Sequence, residues 1–372
     1  MRKYDVVIVG AGPAGIGVAA MLKELGVERM TILEREEIGA TFSKWPKEMK
    51  FITPSFTTNF FGHLDLNAVV SGTSPAYMLR KEHPTGKEYA DYLKAVCDHF
   101  ELPVTEHTNV EKVIPAEGSF EVHLADGDPI MSRFVVWAAG EFQYPNLNAI
   151  PGAELCLHNS QVESWENLEG DRFCIIGGYE SGIDAAIQLS RKEKTVHVFA
   201  RERTWNKSTS DPSETLSPFT VERLQDEMLY NCIELKGEAA VKEVRFEEDT
   251  YLIFVEGEAT PFRSATRPIL ATGFSSSLVL VKELFHWHKQ KAYCILNDQD
   301  ESTKTAGLFL VGPQVRHDDL IFCFIYKYRQ RFGVVAHAIG SQLGLDTTLL
   351  EQYRSEGLYL DDLSCCGEEC VC

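Results

Sequence analysis

Tyr4-Asp-Val-Val-Ile-Val-Gly-Ala-Gly-Pro-Ala-Gly15 is the stretch on which the fold turns. Residues 6–9 are all apolar, as a parallel strand covered on both faces requires. Glycines follow at 10, 12 and 15. Gly10 permits a tight turn, Gly12 lets a pyrophosphate approach the backbone, and Gly15 lets helix and strand pack closely. A helical pattern runs over 14–25 and stops at Gly26. A second strand, 30–33, ends at Glu34, nineteen residues after Gly15. The helix brings free N–H groups and the positive end of its dipole to the turn, where phosphates bind. Glu34 stands where a carboxylate accepts hydrogen bonds from both hydroxyls of an unsubstituted ribose.

A second copy lies further on. Residues 173–176 read as a strand, Gly177-Gly178-Tyr179-Glu180-Ser181-Gly182 as a turn, 183–189 as the start of a helix and 195–199 as a strand. Nineteen residues after Gly182 stands Arg201, with Arg203 beyond it. The spacing repeats and the charge inverts. A carboxylate repels a ribose 2′-phosphate, whereas a guanidinium pairs with it bidentately. Tyr179 occupies the place of the middle glycine, which leaves the phosphates to Ser181 and the backbone. One unit for an unphosphorylated ribose and one for a phosphorylated ribose is the arrangement of FAD plus NADPH.

Two matched junctions, Val135-Val-Trp-Ala-Ala-Gly140 and Pro268-Ile-Leu-Ala-Thr-Gly273, each run a strand into a small-residue turn. Residues 307–312 form another buried strand, and a long helical pattern covers about 319–343. Residues 50–85 read as loops, 86–100 as a helix, and 120–124 and 133–137 as strands. The expected class is α/β with two Rossmann-like dinucleotide-binding domains. The FAD domain is 1–148 and 275–350, the inserted NADPH domain is 149–274, and 351–372 is a C-terminal extension.

Composition narrows the function. The 372 residues carry 55 acidic and 36 basic side chains, a formal charge of −19. Such a surface disfavours nucleic acid and anionic lipid. No apolar run approaches the ~18 residues of a membrane span, and the opening apolar run is too short for a signal peptide. The expectation is a soluble, cytoplasmic protein. Six cysteines are scattered, at 97, 156, 174, 232, 294 and 323, and read as buried reduced thiols. Four more, Cys365, Cys366, Cys370 and Cys372, crowd into the last eight residues.

With these motifs the sequence resembles the flavin-containing monooxygenase-like flavoproteins, in particular the small bacterial CzcO-like group. The resemblance rests on the first glycine turn, Trp137-Ala-Ala-Gly-Glu-Phe-Gln-Tyr-Pro145, Ile150-Pro-Gly152, and the second turn continued to Ala186. Val198-Phe-Ala-Arg-Glu-Arg-Thr-Trp205, Ala271-Thr-Gly-Phe274 and Ile325-Tyr-Lys-Tyr-Arg-Gln-Arg-Phe332 extend it, as do the tail cysteines. It implies FAD in the first domain and NADPH in the second. The expected cofactor-binding set is Gly10, Gly12, Pro13, Ala14, Gly15, Glu34, Arg35, Trp45, Val110, Ala139, Gly140, Gly312 and Pro313, then Gly177, Gly178, Tyr179, Glu180, Ser181, Gly182, Arg201, Arg203, Thr272 and Gly273. Asn59 matches the family's asparagine beside the flavin and is a catalytic candidate. His158, with His63 and His317, is a candidate proton carrier. The sequence departs from the family where 151–158 shortens the fingerprint between the domains, and where Pro313 follows Gly312 instead of an acid.

Three outcomes follow for the electrons. Oxygen transfer to a small soft nucleophile is the leading one, with Phe51, Phe56, Phe60 and Phe61 walling a dry pocket. The alternative is a reductase of a disulfide or a thiol-bound metal using the tail cysteines. The third is a non-enzymatic metal-binding or redox-sensing flavoprotein. The partner set is a small-molecule substrate, a second copy in a homodimer, and a soft metal ion at the tail.

Overall fold

The computed structural model describes residues 3–57, 64–209, 213–229 and 232–364. Asn59, His63 and the four tail cysteines lie outside them. The chain divides into two compact units, one of Met1–Ser43, Pro54–Glu141 and Ser276–Cys372, the other of Lys44–Thr53 and Phe142–Ser275.

In the first unit the strand Lys3–Val9 pairs in parallel with Met30–Leu33 on one side and Ile130–Trp137 on the other. Val104–Thr105 extends the sheet beyond Met30–Leu33, while Ser119–Leu124 and Val110–Ala116 continue it antiparallel. Leu308–Leu310 joins Ile130–Trp137 in parallel. Residues 6–8, 135 and 136 are fully buried, as their unbroken apolar run demands. The helix Pro13–Glu24 packs against Phe332–Gln342, where Gly17 makes room for the Phe332 ring. Helix Gly86–His99 opens with a reciprocal capping box between Thr85 and Glu88.

In the second unit the parallel strands run in the order Ile233–Lys236, Thr195–Phe199, Arg172–Ile176, Ile269–Leu270, Leu157–His158. Helices Glu180–Ser190 and Pro218–Met228 pack together, and their apolar side chains form one core with Trp165, Phe173 and Val196. A three-stranded antiparallel meander, Val241–Glu247, Thr250–Val255 and Phe262–Ser264, packs through Val244 and Ile253 into a second core with Cys174 and Phe199.

Several boundaries depart from the sequence reading. Residues 44–53 pack in the second unit: Lys47 N–H donates to Glu163 O (2.9 Å), Trp165 N–H to Glu48 Oε2 (3.1 Å) and Gln188 Nε2 to Glu48 O (3.3 Å). The extension does not begin at 351, because Tyr353, Leu358 and Tyr359 are buried in the first unit. The helix expected from 319 starts at Ile325 instead. Arg316–His317 and Leu320–Ile321 form a hairpin, whose turn residue Asp318 sits at φ +52°. Within 50–85 a short helix, Pro75–Leu79, is capped by Ser74.

Candidate active site

The two glycine turns are built alike. Gly10 (φ +107°) and Gly177 (φ +118°) each take a conformation that favours glycine. A Cβ on Gly10 would stand 2.6 Å from Ala138 O, and one on Gly177 2.2 Å from Ala271 O. A Cβ on Gly15 would stand 2.0 Å from Gly10 O, and one on Gly182 2.0 Å from Gly177 O. Gly10 N–H donates to Leu33 O (2.8 Å), and Gly177 N–H to Phe199 O (2.9 Å). The two junctions read as a pair meet these turns at corresponding points.

Gly12 and Gly178 differ. Gly12 has φ −88°, ordinary for any residue, and a Cβ there would meet nothing within 4 Å. Neither backbone strain nor packing accounts for a glycine here. It lies at the N-terminus of a helix whose first residues are buried and which no side chain caps. A buried, uncapped helix start needs an acceptor, and an anion supplies it. The open space over Gly12 is a cradle that a Cβ would fill, so the residues present fit the pyrophosphate of FAD. Glu34 borders this turn. Its Oε2 accepts from Ala11 N–H (2.7 Å) and its Oε1 from Glu36 N–H (2.9 Å), and burial pushes its carboxyl up. Thr108 N–H donates to Glu34 O (2.7 Å), which brings Val110 near the same strand end. Arg35 pairs with Glu36 on the surface, and Trp45 packs on Phe51 in the second unit. Gly312 (φ +104°) abuts Ala14, and Pro313 leads away from it. Ala139 adjoins Gly10, and Gly140 O accepts from Ser277 N–H (3.1 Å).

The second turn is filled from within. A Cβ on Gly178 would stand 2.5 Å from Ala200 Cβ and 3.0 Å from the Trp205 ring, so this glycine serves the packing of 200–206. Thr204 Oγ1 donates to Gly178 O. Tyr179 is held by its hydroxyl, which donates to Thr215 O (2.9 Å). Glu180 proves to be structural. Its Oε1 accepts from Ser217 N–H (2.5 Å) and its Oε2 from the Thr220 hydroxyl (2.6 Å), so it fastens the next helix. Ser181 stays on the first turn of its helix, half-buried. Beyond the strand, Glu202 pairs with Lys207 and with neither arginine. Arg203 lies over Gly237 and pairs with Glu238 at 3.5 Å. Arg201 is exposed and has no partner among the described residues. Both guanidinium groups reach solvent, and Arg201 is the one of the two without an ion-pair partner among the described residues. A cleft of about 580 Å³ is lined by Arg203, Trp205, Lys236 and Phe262, and Arg201 is not among its lining residues.

His158 is corrected as a proton carrier. It is fully buried; Nδ1 bonds with Ser160 Oγ (2.8 Å) and Nε2 donates to Gly273 O (3.1 Å). Burial lowers its pKa, and both nitrogens hold the 158–161 turn and the junction at Gly273. Thr272 Oγ1 donates to Asn146 O (3.0 Å), so this junction too is braced internally. Of the six scattered cysteines, 97, 156, 174 and 294 are buried, while 232 and 323 are only half-buried. Burial holds the Cys97 and Cys156 thiols up at about 12, so neither is a ready nucleophile. Among the described residues no group of three or more His, Cys, Asp or Glu is placed to hold a metal ion, and no helix is long and apolar enough to cross a membrane.

A family model described as pyridine nucleotide-disulphide oxidoreductase matches residues 7–312. The chain belongs to that family. The match spans both glycine turns, and the fold is that of FAD-dependent oxidoreductases. Among curated relatives, the uncharacterized oxidoreductase CzcO of Bacillus velezensis is 27% identical over 199 residues, 52% of this chain and 53% of that protein. The indole-3-pyruvate monooxygenase YUCCA1 of Oryza sativa is 29% identical over 213 residues, 53% of this chain and 49% of that one. The chain thus spans about half the length of the curated relatives it first matches. The solved structure of bacillithiol disulfide reductase Bdr from Staphylococcus aureus superposes with a TM-score of 0.77 at 21% identity, covering 92% of this chain and 99% of that chain. The expected resemblance to CzcO-like and monooxygenase flavoproteins is borne out.

Proposed function

We propose that this protein is an NADPH-dependent FAD oxidoreductase that reduces a disulfide. The observation that carries the cofactor pair is the contrast at the two turns: open space over Gly12 beside a carboxylate, and an unpaired Arg201 beside the filled turn at Gly178. The FAD domain is the first unit and the NADPH domain the second.

When bound, FAD supplies two-electron chemistry between a nicotinamide and an acceptor. The chain's own residues do the rest. The helix starting at Pro13 offers its N–H groups to the pyrophosphate, and Gly12 leaves room for it. Glu34 keeps lone pairs free for ribose hydroxyls while its bonds to Ala11 and Glu36 fix its orientation. Arg201 selects the 2′-phosphate.

Two features support a disulfide as the acceptor. In sequence, the match to the bacilliredoxin reductase Bdr of Bacillus subtilis, 20% identical, runs along 92% of the chain, whereas that to YUCCA1 covers 53%. The four terminal thiols are far denser than the six in the rest of the chain. Adjacent cysteines do not form a relaxed disulfide with each other, so a redox pair takes one of Cys365 and Cys366 with one of Cys370 and Cys372. Oxygen transfer is the second reading, favoured by the YUCCA1 match and by Asn59.

The test is anaerobic NADPH oxidation by the FAD-loaded protein with Ellman's reagent. Expected is release of two thiols per NADPH, lost on deleting residues 364–372 while FAD content stays unchanged. NADPH oxidation that requires O2 and a soft nucleophile, unaltered by the deletion, would establish the monooxygenase reading instead.

A further inference from the structure

The sequence carries no acid directly after Gly312, where Pro313 stands, yet the structure brings one to the same edge of the first sheet. Trp137 lies in parallel register with Val9 on one side and Leu310 on the other, so these three strands end side by side. As the chain leaves them, Ala139 adjoins Gly10 and Gly312 abuts Ala14. Both exits therefore touch the first glycine turn. Two residues beyond each contact stand Glu141 and Gln314, and Gln314 Nε2 donates to Glu141 Oε2. The two strand ends are thus joined side chain to side chain over the edge where ligands of open α/β sheets bind.

Glu141 Oε1 has no hydrogen-bond partner among the described residues, and protein does not seal it off. The side chain is half-buried, and burial pushes its carboxyl up against the pull of Gln314 and Arg316. A strut between two strand ends needs one acceptor, which an amide supplies without the cost of desolvating a charge. The second oxygen is left over for something else. Strand order says what reaches it. Glu34 ends the strand Met30–Leu33, the glycine turn ends Lys3–Val9, and Glu141 and Gln314 follow the next two strands in line. FAD with its adenosine ribose at Glu34 and its pyrophosphate at Gly12 extends its other half toward Glu141. That half begins with the ribityl chain, a polyol whose hydroxyls donate to a carboxylate.

We propose that Glu141 binds a hydroxyl of the FAD ribityl chain and that Gln314 is its positioning residue. This rests on the placement of FAD proposed above. Oε2 is spent on Gln314, which fixes the plane of the carboxylate, and Oε1 accepts the hydroxyl. The acceptor comes from the neighbouring strand end, which leaves the position after Gly312 free to be a proline.

The test separates the hydroxyls from the rest of the cofactor. Apoprotein is titrated with FAD and with an FAD analogue that carries a plain pentyl chain in place of the ribitol, followed by flavin fluorescence. The preference of wild type for FAD over the analogue should shrink about 10-fold in Glu141→Ala, as loss of a hydrogen bond to a charged group implies. The whole change should lie in weaker FAD binding, with affinity for the analogue kept within about twofold. Gln314→Ala leaves the carboxylate unaimed and should shrink the preference about threefold. An unchanged preference in Glu141→Ala, or equal losses on FAD and the analogue, would overturn the proposal while leaving FAD in its place. If Glu141→Ala does not fold, Glu141→Gln decides: it keeps the shape without the charge, and a preference equal to that of wild type would overturn the proposal. Wild type with no affinity for FAD would remove the placement of the cofactor, and this inference with it.

Discussion

The turns at 10–15 and 177–182 share their strained glycines, their close helix–strand approach and their pairing to the neighbouring strand, yet they part at one position. The first leaves empty space over Gly12, and the second packs Ala200 and Trp205 against Gly178 and anchors Tyr179 to Thr215. A duplicated framework therefore carries two kinds of site. On the proposed reading one is completed by a ligand that comes close to the backbone, and the other largely by its own side chains, with Arg201 proposed to give the specificity. Glycines at matching spacings serve different ends: Gly10, Gly15, Gly177 and Gly182 are required by the fold and Gly178 by local packing, whereas Gly12 meets no neighbour and is assigned to the ligand in the proposal.

The largest effect should come from the shared framework. Gly15→Ala and Gly182→Ala each drive a methyl group into a carbonyl oxygen. Each should cost at least ~3 kcal/mol, the upper end for overpacking. At ~2–4 °C per kcal/mol that lowers the Tm of the affected unit by about 6–12 °C. Thermal unfolding of the apoprotein checks it, and a large loss at one site only would break the equivalence of the turns. Next comes the cofactor contrast. Arg201→Ala should raise the KM for NADPH about tenfold or more, as loss of a ~1.5–3 kcal/mol charge-assisted pair implies, and leave NADH nearly unchanged. Arg203→Ala, already paired with Glu238, should do much less. Steady-state kinetics with both nucleotides decides. Tyr179→Phe loses one hydrogen bond and should destabilise by about 1 kcal/mol with little change in either KM.

The smallest effect concerns pH. Burial raises the carboxyl of Glu180, so ionising it opposes folding. Its contribution to stability is full below the unfolded value, about 4.3, and is lost as pH rises through the raised folded value. Glu180→Gln keeps an acceptor for Ser217 N–H and a donor for Thr220, and should flatten that decline. Melting temperatures of both proteins from pH 4.5 to 7 report it.

Both turns were legible because period, glycine spacing and terminal charge are local properties of the sequence. What escaped was decided by tertiary partners. His158 and Glu180 are typical site residues in sequence, yet each spends its polar atoms on backbone groups or hydroxyls of the same unit. Asp318 and Asp319 resemble a helix start, but the chain turns back there as a hairpin and begins its helix six residues on. Arg329 and Arg331 stand in the motif at 325–332, and nothing in that stretch says that they are buried. They are buried because carbonyls at 65, 68 and 360 and the Asp300 carboxylate absorb their charge. The meander over 241–264 alternates weakly and passed unread, since only its Val244 and Ile253 side reaches a core. In the same way His317, a candidate proton carrier in sequence, spends Nε2 on the buried Asp300 carboxylate that Arg331 grips.

The measurement that bears most directly on the division between the two turns is FAD titration of the apoprotein, wild type and Gly12→Ala, followed by flavin fluorescence alongside apoprotein melting. Alanine fits the backbone at Gly12 and meets no neighbour, so the apoprotein should be as stable as wild type or slightly more so, by up to ~1 kcal/mol. FAD affinity should nevertheless fall about 100-fold, because the methyl group occupies the pyrophosphate's place. Retained affinity, or a loss of FAD that merely follows a loss of stability, would contradict the assignment of that space to the cofactor.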